Sequence, residues 1–115
     1  MDIVKLFDTD FPTWLAANAD AARRVGAKYQ FNITGEGGGQ WYLDLSSTGP
    51  KIERAVAARA DCTISLSAAD FASLWDNLYI GEQLYYSGKL SLWGDEMLAL
   101  RLRDVLQGVK TAGPR

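Results

Sequence analysis

Hydrophobic and polar residues alternate in four short segments of this 115-residue chain, a pattern typical of strands that bury one face. The hydrophobic positions are Tyr29, Phe31 and Ile33; Trp41, Leu43 and Leu45; Cys62, Ile64 and Leu66; and Leu90 and Leu92. Elsewhere hydrophobic residues recur at helical spacing, which predicts helices over residues 10–25, 67–78, 79–86 and 95–107. These elements predict an α+β fold, a twisted and mainly antiparallel sheet of about five strands with helices packed on one face.

The polar positions of the strands indicate what lies on the other face of this sheet. Gln30, Asn32, Thr63 and Ser65 alternate with the hydrophobic side chains, so we expect them on an outer face exposed to water. The length is that of one domain, with its core over residues of about 10 to 107. Residues 108–115 are predicted to form a frayed tail.

The last predicted helix has a hydrophobic surface wider than one packing contact requires. A helix that rests on a single sheet needs an apolar stripe of roughly 100°. Well over half of the helix circumference is covered by Met97, Leu98, Leu100, Leu102, Val105 and Leu106. Another helix, a second subunit or an apolar ligand must therefore cover the excess.

Composition removes several classes of function. The net charge is −2 and no run of basic residues occurs, which argues against nucleic acid as a partner. Histidine is absent, which excludes Ser-His-Asp and Cys-His catalysis and histidine metal sites. Cys62 is the only cysteine, and it lies on the inward face of its strand, where we expect a small buried side chain. No apolar run is long enough to span a membrane and no signal-peptide pattern begins the chain, so we expect a cytoplasmic location.

Other polar groups have simpler interpretations than catalysis. The glycine-rich segment 35–39 lacks the spacing of a phosphate loop and is predicted to be a hairpin turn. Asp95 and Glu96 stand where a helix begins, so they are predicted to be a cap and a partner of the helix dipole rather than an acid–base pair. Arg101 and Arg103 project from different sides of the last helix. Either can meet a lipid head group, although a solvated side chain is the simpler interpretation.

Three motifs in fixed order resemble the sterol carrier protein 2 (SCP2) family of lipid-binding domains. The last strand and helix carry Gly88-Lys89-Leu90-x-Leu92-x-Gly94-Asp95-x-x-Leu98-Ala99. The strand before them carries Ala60-Asp61-Cys62-Thr63-Ile64-Ser65-Leu66-Ser67-x-x-Asp70-Phe71, and the first hairpin carries Tyr29-Gln-Phe-Asn-Ile33 and Trp41-Tyr-Leu-Asp-Leu45. Each motif alone is common, whereas their order and spacing over residues of about 10 to 107 are fairly specific.

The resemblance implies a non-catalytic domain that binds and transfers a fatty acid, acyl-CoA, phospholipid or sterol in a tunnel between sheet and helices, without cofactor or metal. It also implies a strand over residues 51–60, with Ile52, Arg54 and Val56 on one face, where helix propensity alone favours a helix. The predicted ligand-lining residues are Phe71, Leu74, Trp75, Leu78, Tyr85, Tyr86, Leu90, Leu92, Met97, Leu98, Leu102 and Leu106.

Two further functions remain open at this stage. The bulky Trp75, Tyr85, Tyr86 and Trp93 are large enough to fill such a cavity, which favours one acyl chain over a sterol. A filled cavity would make the domain an interaction module, either a homodimer or an accessory to a lipid or polyketide enzyme. Tyrosines at a pocket mouth also suit transient contact with a membrane surface. An enzyme that uses Asp95 or a tyrosine is the least favoured function.

Overall fold

The computed structural model describes residues 1–57 and 59–112, which form a five-stranded sheet with helices packed against it. The strands are β1 (Ala27–Thr34), β2 (Gly39–Leu45), β3 (Lys51–Glu53), β4 (Cys62–Ser67) and β5 (Leu90–Gly94). The helices are α1 (Ile3–Lys5), α2 (Phe11–Ala17), α3 (Ala19–Arg23), α4 (Ala68–Asp76), α5 (Gly81–Tyr86) and α6 (Glu96–Ala112). A π-helical turn spans Leu6–Asp10 and a 3₁₀ turn spans Leu78–Ile80. The predicted α+β class is confirmed.

The sheet has the strand order β3-β2-β1-β4-β5, in which β1 and β4 pair in parallel and every other neighbouring pair is antiparallel. The mainly antiparallel sheet is therefore confirmed, with one parallel pair at its centre. The register places Trp41, Phe31, Ile64 and Leu92 side by side across four strands. All four point to the helical layer, as their alternation predicts, because successive side chains of a strand face opposite sides.

Two helices begin at side chains that accept backbone hydrogen bonds, and one of these two caps, Asp95, was predicted from the sequence. The hydroxyl of Ser67 accepts a hydrogen bond from the backbone N–H of Asp70 at 3.0 Å, which begins α4. The carboxylate of Asp95 accepts one from the N–H of Met97 at 2.8 Å at the start of α6. Between β5 and α6, Gly94 has a φ of +110° and lies directly against the carbonyl oxygen of Asp61. A side chain at this position would meet both strain and a steric clash.

The predicted first helix over residues 10–25 is in fact a series of short helices. The helical region begins at Ile3 and includes a π-helical turn before α2, and it is interrupted at Asn18, whose φ of −128° is not helical. The π-helical turn directs Phe7 into the core, where it is only 1% exposed. The N-terminal segment therefore contributes more to the core than its short hydrophobic pattern indicates.

The predicted strand over residues 51–60 is wrong beyond its first residues, and so is the competing helix. Strand β3 ends at Glu53, and the backbone then leaves the sheet, with residue 58 outside the described residues. The side-chain amide of Gln30 donates to the carbonyl of Ala55 at 3.0 Å and accepts from the N–H of Ala57 at 2.9 Å. These bonds hold the segment over the outer face of the sheet, and they leave Gln30 only 4% exposed instead of facing water as expected.

The predicted end of the last helix also differs from the structure. Helix α6 continues to Ala112 rather than ending near residue 107, because Val109 is buried and extends the helix contact with the core. Gly108 lies against the indole ring of Trp14, where an added Cβ would come within 2.8 Å of a ring carbon. The rest of the predicted tail, residues 113–115, lies outside the described residues.

Candidate functional site

A cavity of about 300 Å³ lies between β4 and β5 of the sheet and helices α4, α5 and α6. The buried part of its wall is entirely hydrophobic and consists of Phe31, Ile64, Leu66, Phe71, Leu74, Leu78, Leu102 and Leu106. Residues of intermediate exposure complete the interior, and these are Gly81, Leu90, Leu92, Ala99 and Arg103. Pockets for small molecules in proteins fall in a range of about 300–1,000 Å³, so this cavity is at the small end of that range.

The cavity exists because the two ends of α6 pack differently. Its C-terminal half buries Val105 and Val109 against the core, whereas Leu100 in its N-terminal half remains 47% exposed at the cavity mouth. A hydrogen bond of 2.6 Å from the Tyr29 hydroxyl to the carbonyl of Leu98 links that N-terminal half to the sheet. The wide apolar surface noted in the sequence is therefore covered at one end and borders the cavity at the other.

The mouth of the cavity combines aromatic and charged side chains. Its exposed residues are Tyr79, Glu82, Tyr85, Tyr86, Glu96 and Leu100. Tyr79 and Tyr86 are 72% and 76% exposed, which is high for such large side chains. The guanidinium carbon of Arg103 lies 4.6 Å from the centroid of the Tyr79 ring, within the distance of a cation–π contact.

Most of the residues predicted to line a ligand site surround this cavity. The structure brings together Phe71, Leu74, Leu78, Tyr85, Tyr86, Leu90, Leu92, Leu102 and Leu106. Trp75, Met97 and Leu98 lie outside its wall. The ring of Trp75 stacks on Phe71 at 6.2 Å, Met97 is 58% exposed, and Leu98 packs partly buried against the core. Contact of the first group with a ligand remains a prediction.

Several residues of the cavity wall were absent from the sequence prediction. Ile64 and Leu66 were predicted only as inward positions of their strand, but they face Leu92 and Leu90 across the β4–β5 pair and so border the open space. The pairing of β4 with β5 joins segments that are far apart in the chain, so no local pattern in the sequence indicates it. On α6 a signal was present, because Ala99 and Arg103 lie four positions apart on one face of the helix. Nothing in the local sequence distinguishes Tyr79 as a residue of the cavity wall.

The tryptophans do not fill the cavity, since none of the four contributes to its wall in the part of the chain described. Trp41 is fully buried near β2, and Trp14 lies against Gly108 of α6. Trp93 is 68% exposed, opposite Thr63 in the β4–β5 pair. The cavity is therefore bounded by aliphatic side chains, phenylalanines and tyrosines rather than occupied by indole rings.

Two buried titratable groups of the sheet, Cys62 and Tyr29, have pKa values raised above the ordinary ones. Burial raises the pKa of the Cys62 thiol to about 11, and the negative charges of Asp95 and Asp61 add to the effect. Burial also raises the pKa of the Tyr29 phenol, whose hydroxyl is already donated to Leu98. Within the described ranges, no cluster of three or more cysteine, aspartate or glutamate side chains suits a metal ion. The cavity thus offers apolar surface inside and charge at its mouth.

Comparisons with known proteins agree with this geometry. The family model described as the SCP-2 sterol transfer family matches residues 12–107. Hydroxysteroid dehydrogenase-like protein 2 of Rattus norvegicus is 34% identical over 88 residues, which are 76% of this chain but only 17% of the rat protein. The dehydrogenase-like name therefore belongs to a protein of which this chain matches a small part.

Among the described residues, no helix is long and apolar enough to cross a membrane.

Solved structures share the fold. Sterol carrier protein 2 from Yarrowia lipolytica, in its apo form, is 24% identical with a TM-score of 0.76, over 91% of this chain and 89% of that one. Sterol carrier protein 2 from Aedes aegypti, in complex with the C16 fatty acid palmitate, is 19% identical with a TM-score of 0.71, over 94% and 96% of the two chains.

Proposed function

This chain belongs to the SCP-2 sterol transfer family, and from that premise we propose that it is a non-catalytic carrier that holds the apolar chain of one amphipathic lipid. The observation that carries the proposal is the cavity of about 300 Å³, whose buried wall is entirely hydrophobic. Binding of this kind is driven by desolvation of the apolar chain rather than by directional polar contacts. The lipid would be released unchanged at the exposed mouth.

Desolvation alone supplies a large driving force in such a cavity. Each methylene moved from water into an apolar environment gains about 0.8 kcal/mol, so a twelve-carbon chain gains on the order of 10 kcal/mol before ordering costs. A volume at the small end of ligand pockets favours a single acyl chain over a fused-ring sterol or a two-chain phospholipid. The palmitate complex of the Aedes aegypti protein, which has the same fold, is consistent with this preference.

An interaction module is the competing function, and exposed side chains outside the cavity support it. Trp93 and Met97 are 68% and 58% exposed near the junction of β5 and α6, and neither contributes to the cavity wall. Side chains of this size in water are common at surfaces that contact a protein or a membrane. One measurement separates the two functions, because a bound lipid and a second copy of the chain change the mass differently.

Native mass spectrometry of the protein purified from its expression host, followed by organic extraction, tests the carrier function. We expect a stoichiometric adduct that extracts as a fatty acid, and a 1:1 complex when palmitate is added to delipidated protein. Ala99→Trp, which places an indole ring in the cavity, should weaken palmitate binding by about tenfold or more. Ala16→Trp is the matched control on exposed surface of α2 and should leave binding unchanged.

Other results would contradict the proposal. A protein that carries no adduct and does not bind added palmitate is not a lipid carrier of this kind. A dimer that forms with increasing concentration and ignores lipids would establish the interaction module instead. Equal loss of binding in both tryptophan variants would show that the cavity is not the site.

A further inference from the structure

Arg103 occupies a position on α6 where the pattern calls for a hydrophobic residue. It lies four residues after Ala99 and three before Leu106, and all three contribute to the cavity wall. Residues three and four apart share one helix face, so Arg103 lies within the helix row that faces the cavity. Long arginine side chains can lie along apolar surface while their charge reaches water. Its position brings a permanent positive charge to a wall whose buried part is entirely hydrophobic.

The guanidinium of Arg103 is held in place but remains available. It lies 4.6 Å over the Tyr79 ring, a cation–π contact that fixes the plane of the group without using its N–H donors. No acidic side chain within the described residues lies close enough to form an ion pair with it. A planar guanidinium with free donors matches a carboxylate, which accepts two parallel hydrogen bonds from it.

The remaining charges at the mouth limit what kind of anion can enter. Glu82 and Glu96 also contribute to the cavity wall, so its charged groups among the described residues are one cation and two carboxylates. A head group with a single negative charge can pair with Arg103 at modest cost from the two glutamates. A head group with several phosphate charges meets proportionally more repulsion from the two glutamates, because like charges at short range disfavour binding.

We propose that Arg103, positioned by Tyr79, receives the carboxylate of a single-chain fatty acid, and that Glu82 and Glu96 select against acyl chains with multiply charged heads such as acyl-CoA. The proposal rests on the carrier function proposed above. It adds one polar contact with the head group to a cavity that otherwise selects its ligand by shape. The acyl chain would run from Arg103 toward the buried wall at Phe71 and Leu102.

Titration of the full chain with palmitate and with hexadecanol, its uncharged analogue, tests this assignment. We expect the native protein to prefer palmitate by about 10- to 100-fold, which is the range for a charge-assisted hydrogen bond. Arg103→Met keeps the aliphatic stem and should remove that preference while hexadecanol still binds. Arg101→Met is the matched control, because Arg101 is exposed and donates to the carbonyl of Val25 instead.

The outcomes separate this inference from the carrier function. Equal affinity of the native protein for palmitate and hexadecanol, or a preference that survives Arg103→Met, would overturn the assignment and leave the carrier intact. Failure of both lipids to bind would instead contradict the carrier. Where Arg103→Met does not fold, equal affinity of the native protein for the two lipids still overturns the assignment. For the glutamates, Glu82→Gln with Glu96→Gln should raise palmitoyl-CoA affinity relative to palmitate, and an unchanged ratio would overturn their role.

Discussion

The space between the sheet and its helices is filled at one end and open at the other. At the β2 end, the centroid of the Phe7 ring lies 4.6 Å from the ring centroid of Trp41, 5.1 Å from that of Phe31 and 5.5 Å from that of Phe71. At the β5 end, the corresponding space is the cavity. We call these the packed half and the open half. Phe31 and Phe71 belong to both, since they contact Phe7 and also form part of the cavity wall.

One row of side chains across the sheet shows the transition between the two halves. Trp41, Phe31 and Ile64 are 0%, 1% and 7% exposed, and their neighbour Leu92 on β5 is only partly buried. All four positions are hydrophobic and point to the same layer. What differs is the helix above them, because the N-terminal π-helical turn inserts Phe7 on one side and no equivalent aromatic ring enters on the other. We therefore assign stability to the packed half of the fold and ligand binding to the open half.

The largest expected effect compares one substitution in each half. Phe7→Ala removes the ring shared by four aromatic neighbours and should lower the free energy of unfolding by about 3–5 kcal/mol. Leu100→Ala in the open half, where the side chain is already 47% exposed, should cost less than about 1 kcal/mol. Urea unfolding of the two variants measures the difference. Similar losses would mean that the open half is closed and packed in solution.

A smaller effect concerns the hydrogen bond that ties the open half to the sheet. Tyr29→Phe removes the donor to the Leu98 carbonyl and should cost about 1 kcal/mol, because one intramolecular hydrogen bond is lost. Hydrogen exchange should become faster in the first turns of α6 and remain unchanged in its C-terminal half. Tyr42→Phe is the control, since the Tyr42 hydroxyl lies on the outer face of the sheet and donates to no described residue. Equal exchange in the two variants would contradict the role of Tyr29.

The smallest expected effect lies at the polar edge of the packed half. Hydrogen bonds from Arg54 and Trp41 lower the pKa of Asp8 below its ordinary 3.8, although partial burial opposes them. A lowered pKa in the folded state stabilises the protein above the unfolded-state value, and that contribution disappears as pH falls through the folded-state value below 3.8. Because the Asp8 side chain is 38% exposed, Asp8→Asn should cost well under about 1 kcal/mol at pH 7.

Thermal unfolding between pH 7 and pH 2 measures this contribution. The difference between the native protein and Asp8→Asn should shrink to zero as the pH falls below 3.8. Asp104→Asn is the control on the exposed face of α6 and should leave the unfolding midpoint unchanged over the whole range. A difference for Asp8→Asn that persists at pH 2 would show that the substitution acts through packing rather than charge.

Much of the fold could be predicted because it follows from local patterns. The alternation in β1, β2, β4 and β5 identified which side chains face the helices, since a strand places successive residues on opposite faces. The helix start at Asp95 was also correct, because a cap involves residues only a few positions apart. The strand order was not predicted, because it depends on pairing between strands that lie far apart in the chain.

Errors occurred where distant segments determine the structure. Residues 54–57 leave the sheet because the Gln30 amide provides hydrogen bonds to their backbone, and neither helix propensity nor strand resemblance contains that partner. The burial of Val109 likewise extends α6 beyond the predicted end, since a contact with the core outweighs the weak pattern of the tail. In both cases a tertiary interaction replaced a local preference.

The sequence by itself determined the layers of this protein, the inward faces of its strands and the family to which its motifs are similar. It also indicated that α6 has more apolar surface than a single sheet can cover. Only the tertiary structure decided where that surface remains open, because the π-helical turn that carries Phe7 fills one end of the interlayer space alone. It also decided that Arg103 meets Tyr79 from another segment. Periodicity is a property of neighbouring residues, whereas a cavity and its polar mouth arise from the packing of segments far apart in the chain.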